Sequence, residues 1–155
     1  MHIDVPAGTP IAADPVASKV ALLTVDPSQG KDLATNPPGY LDHVPLHLNG
    51  VIRAPDATAQ MRAFATEIIQ ALTNAGRWLV QTRMLARQLV NMNADQLAQP
   101  TTLTMLDSLL TDTTYAYIGQ LNPNTNQVVP GVLQVHYDIQ RLATLNITPN
   151  LPQSI

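Results

Sequence analysis

From Asp56 to Gln99 the chain has no proline, and its apolar positions recur with the period of an α-helix. At 100° per residue, with Arg62 set to zero, Met61, Ile68, Leu72, Leu79, Ala86, Val90 and Leu97 all fall within about 240–280°. Phe64, Ala65 and Ala75 flank this stripe, which holds its phase across Asn74-Ala75-Gly76. The pattern therefore predicts one nearly straight amphipathic helix over residues 57–97, with Asp56 as its N-cap. From Trp78 onward, Trp78, Leu85, Leu89 and Met92 sit outside the stripe and widen the apolar arc to about 160°, so a second neighbour must cover that half. Such a helix would be roughly 60 Å long, against a diameter near 40 Å for a compact globule of this chain length. The reading that follows is an elongated molecule that completes its core with other subunits.

The flanking segments carry weaker patterns. Eight of the 13 prolines lie in residues 1–55 together with Gly8, Gly30, Gly39 and Gly50, which predicts an extended arm with no long helix. Within it, Lys19 to Val25 and His47 to Ile52 are candidate short strands. After Pro100, the spacing of Leu103, Leu106, Leu110 and Tyr117 predicts a shorter helix stopped by Gly119, and Asn122 to Asn126 reads as a turn. Residues 132–145 fit two periods. Val132, Val135, Ile139 and Leu142 share a helical face, whereas Leu133, Val135, Tyr137 and Ile139 alternate with polar residues as in a strand. The run from Ile139 to Leu145 favours the helix. Pro149 and Pro152 make the end an extended tail. The expected organisation is an arm over 1–55, a helical domain over 56–146 and a tail over 147–155, mainly α in class.

Composition explains how such a surface stays in water. Only 12% of the 155 residues are charged, against about a quarter in typical soluble domains, while hydrophobic residues reach an ordinary 45%. Sixteen threonines, ten asparagines and twelve glutamines take the places usually held by lysine and glutamate, which number two and one. A surface so poor in charge points to a protein largely covered by neighbours. The remaining charge is segregated. Asp4, Asp14, Asp26, Asp32, Asp42 and Asp56 lie in or beside the arm, and Arg62, Arg77, Arg83 and Arg87 share an arc of about 120° on the central helix. The net charge of −3 gives no general attraction to nucleic acid. The arginine arc is therefore read first as a partner for the acidic arm and only second as a phosphate-binding face.

Candidate chemistry is sparse. With no cysteine there is no disulfide, thiolate or cysteine metal site. His43 and His47 have helical spacing, but Pro45 between them predicts an extended chain that would hold them roughly 13 Å apart, so no metal is expected there. Glu67 and Asp95 are too distant to act as a pair, and Asp107 and Asp112 lie on different sides of their helix. Ser18, Ser28, Ser108 and Ser154 sit in no nucleophile motif, and Ser28 to Asp32 lacks the glycine spacing of a phosphate-binding loop. The N-terminus lacks a signal-peptide pattern, and no apolar run is long enough to span a membrane.

The expectation is a non-enzymatic structural component of a large assembly, such as a capsid, connector or tail protein of a virion. It would need no cofactor and would contact copies of itself and other structural subunits, in a virion or a cytoplasmic assembly. Candidate interface residues are Trp78, Leu85, Leu89 and Met92, with Arg62, Arg77, Arg83 and Arg87. The alternatives are a helical adaptor of a bacterial multiprotein complex, working through the Trp78 face, and a small helical nucleic-acid binder, working through the arginines.

Overall fold

The structure is a computed structural model and describes residues 38–143. The candidate strand at 19–25, most of the acidic arm and the tail from 147 lie outside the described residues. Among the described residues five helices and one hairpin follow in order: α1 (Tyr40–Arg53), α2 (Ala59–Val90), α3 (Ala94–Leu97), α4 (Pro100–Ile118), β1 (Gln120–Asn122), β2 (Gln127–Val129) and α5 (Val132–Ala143). The molecule is mainly helical around the long α2, as the periodicity predicts.

At about 48 Å, α2 is shorter than the stripe suggests. It runs unbroken through Gly76 but starts and stops inside the expected 57–97. Thr58, not Asp56, is the N-cap, its Oγ1 accepting from the Met61 amide at 3.1 Å. At the other end Asn93 and Gln96 form a reciprocal capping box: the Asn93 side chain accepts from the Gln96 amide and the Gln96 side chain from the Asn93 amide, both at 2.9 Å. That box begins the one-turn α3 and redirects the chain, so Leu97 leaves the stripe.

The structure corrects the arm over residues 40–53, which are helix and not strand. Pro45 lies inside α1, where it cannot donate to the Leu41 carbonyl and crowds it, at a cost of about 3 kcal/mol. Leu41, Val44 and Leu48, spaced i, i+3, i+7, offset that cost by packing on α2. The C-terminus of α1 is tied down by Arg62. Its Nη1 donates to the Ile52 carbonyl at 2.5 Å and its Nη2 to those of Ala54 and Ala57 at 3.0 and 3.1 Å. One guanidinium thus ties carbonyls of the end of α1 and the following turn to α2, the Ala54 carbonyl accepting from the Ala57 amide as well, at 3.2 Å.

α4 begins with Pro100 in its first turn and stops at Gly119, whose φ of 91° suits glycine. It runs antiparallel to the second half of α2: Thr102 lies near Met92, Thr113 Oγ1 is 3.5 Å from Thr82 Oγ1, and the Tyr115 ring is 6.0 Å from that of Trp78. The hairpin pairs Leu121 with Val128 around a turn in which Asn126 takes a φ of 53°. Residues 132–143 form a helix, the favoured reading of that segment. α5 returns to the first half of α2, where Arg141 stacks 4.2 Å above Phe64 and reaches Glu67 at 3.7 Å. The core gathers at the middle of α2, where Ile68, Leu72, Ala75 and Leu79 meet Leu41 of α1 and Ala116 of α4, with Val132 and Val135 of α5 packed against them.

Candidate functional site

α4 has two apolar faces side by side, and the more apolar one is exposed. Its inner face presents Thr102, Met105, Leu109, Thr113 and Ala116 toward α2, of which only Thr102 and Ala116 are fully buried. Its outer face presents Leu103, Leu106, Leu110 and Tyr117, which are 67, 46, 65 and 59% exposed. These four residues predict the helix from sequence, but their periodicity does not say which face is covered. Ile118, Leu121 and Val128 continue the exposed apolar surface into the hairpin. On the same end of the molecule, beyond the core, Met84 and Val90 of α2 are exposed as well. Two antiparallel helices cannot enclose apolar side chains on all sides, which is why this end leaves so many in water.

The residues proposed from the widened arc of α2 lie against the chain's own helix. Trp78 packs on the core and on Tyr115, and Leu85, Leu89 and Met92 are half-buried on the half of α2 that α4 accompanies. α4 is the second neighbour the arc requires. The four arginines do not share one environment. Arg62 is the clamp on α1. Arg77 is exposed and donates to Asn74 Oδ1, Arg83 is 8% exposed, and Arg87 is exposed near the end of α2. Asn74, a polar residue in the middle of α2, is buried and donates to the Pro130 carbonyl at 3.2 Å, joining α2 to the start of α5.

Arg77 and Arg83 meet at a cavity of about 710 Å³ between α1, α2 and the hairpin, whose walls include Leu41, Asp42, Trp78 and Val129. Gly76 opens its floor, since a β-carbon there would touch nothing within 4 Å. The described walls include two guanidiniums, one carboxylate and an indole; Arg77 is engaged by Asn74, and much of the Arg83 guanidinium is shielded from solvent.

His43 and His47 require a correction. Because residues 40–53 are helical despite Pro45, the two imidazoles are adjacent, with Nε2 atoms 2.9 Å apart and ring centroids 4.7 Å apart. Among the carboxylates, Asp138 is fully buried on α5. Its Oδ1 accepts from Gln134 at 2.9 Å and faces Arg141 at 3.4 Å, while Oδ2 has no hydrogen-bond partner among the described residues. Asp107 is exposed and Asp112 half-buried on α4, and no cluster of three or more histidine and carboxylate side chains forms among the described residues. No helix among them is long and apolar enough to cross a membrane. No protein-family model matches the chain, and no curated protein or solved structure matches it either.

Proposed function

We propose that this chain is a structural subunit of a large protein assembly, of the capsid, connector or tail kind, and that it works by contact between copies through the outer face of α4. The observation that supports this reading is the exposed stripe of Leu103, Leu106, Leu110 and Tyr117 with its continuation in the hairpin. Each of these side chains is 46–67% exposed, and rows of large apolar residues left in water commonly mark contact surfaces. The occupant is a second copy. α4 contains two aspartates and no basic residue, and its other polar positions are threonines, one serine and the tyrosine hydroxyls, so the surface offers no cationic group to an acidic partner and little charge to repel a second copy. The shortage of charge over the whole chain accords with a subunit that spends its working life covered.

Sedimentation velocity on the full chain and on the double variant Leu103→Gln, Leu110→Gln tests the reading. Both residues are about two-thirds exposed, so the variant should fold. The expected result is a dimer or larger species for the parent and a shift toward monomer for the variant. Equal sedimentation coefficients for the two, at concentrations up to about 100 μM, a range in which weak contacts form, would remove α4 as the contact and leave the reading without its support.

A further inference from the structure

We propose that His43 and His47 form a two-nitrogen site for a divalent transition metal of the copper or nickel type on the surface of α1. Four residues apart on a helix, the two rings occupy one face. Their centroids are farther apart than their Nε2 atoms, 4.7 Å against 2.9 Å, so the Nε2 edges lean toward each other and toward a shared point. A metal bound to both nitrogens at about 2.1 Å would see them at an angle near 90°. That is the cis angle of square-planar and octahedral sites, which copper(II) and nickel(II) adopt. A tetrahedral zinc site would need the nitrogens about 3.4 Å apart.

The proton balance is simple. In the metal-free pair one neutral ring donates its Nε2 proton to the other. On metal binding that proton moves to Nδ1 of the same ring, so both Nε2 lone pairs face the ion and neither imidazole changes charge. His47 is exposed, so an ion reaches the pair from solvent, and the half-buried His43 holds one arm of the chelate in place. Among the described residues no third histidine or carboxylate gathers with the pair, so the other positions are taken by water or by a group from elsewhere. Pro45 lies between the two ligands and contributes no donor atom. This site is independent of the α4 surface and of the assembly reading.

The test is titration of the untagged full chain with copper(II) and, separately, nickel(II), followed by calorimetry and by electron paramagnetic resonance for copper. The expected result is one equivalent bound per chain with a two-nitrogen copper signal. Replacing the exposed ligand, His47→Gln, should weaken binding by about tenfold or more, because the second ligand acts at high effective concentration. His2→Gln and His136→Gln should bind as the parent does. Circular dichroism confirms that each variant is folded. Unchanged affinity in His47→Gln, or loss of binding in His2→Gln or His136→Gln, would overturn the site.

Discussion

Single residues hold this fold where its elements join. Arg62 is the clearest case, because its side chain spans the turn between α1 and α2 and binds three carbonyls. Replacing it by Met should cost about 3 kcal/mol in chemical denaturation. Arg62→Lys should recover less than half of that, since one ammonium cannot span the three acceptors; full recovery would mean that charge alone matters. The glycines separate in the same way. A β-carbon at Gly131 would lie 2.7 Å from the Tyr115 carbonyl oxygen and 2.8 Å from that of Ala116, where the strand end crosses the end of α4. Gly131→Ala should therefore destabilise by about 2 kcal/mol. Gly76, inside α2 with open space beside it, should behave oppositely, Gly76→Ala gaining about 1 kcal/mol by lowering the entropy of the unfolded chain. Thermal melts that move both variants in the same direction would contradict this.

Among the elements, α2 and α4 were legible because their signals are local: a stripe in constant phase for α2, and for α4 a Pro100 start with a Gly119 stop. The end of α2 was misplaced because the apolar period continues to Leu97, while the box of Asn93 and Gln96 that interrupts it is a polar signal lying between periodic positions. α1 was missed for a different reason. Pro45 and Gly50 argue against a helix by propensity, and the burial of Leu41, Val44 and Leu48 that overrides them exists only once α2 is beside them. The proximity of His43 and His47 followed from that element and was hidden with it. Removing the local penalty should strengthen α1: Pro45→Ala is expected to stabilise the protein by about 2 kcal/mol, the restored hydrogen bond and relieved crowding outweighing the freer unfolded chain. A loss of stability in the melt would show that Pro45 makes contacts worth more than the bond it forfeits. The candidate surface was legible only as a set of spacings. Periodicity identified Leu103, Leu106, Leu110 and Tyr117 as one face, and only the packing of Thr102 and Ala116 against α2 shows that this face looks outward.

At the scale of the molecule, α2 organises two unequal regions. Around its first half and middle, α1, α5 and the near end of α4 close a core on several sides. Along its second half α4 is the main described companion, and there the exposed apolar side chains concentrate. A chain with so few charges to keep such a surface dispersed gains most by covering it. Burying one such leucine fully contributes about 1.5–3 kcal/mol, so a few of them outweigh the entropy lost on association only when the stripe engages as a whole. The most direct measurement of this account is the mass of the purified full chain by static light scattering over a range of concentrations. The account predicts an average mass above 16.7 kDa that rises with concentration. A constant mass of 16.7 kDa at every concentration would contradict it.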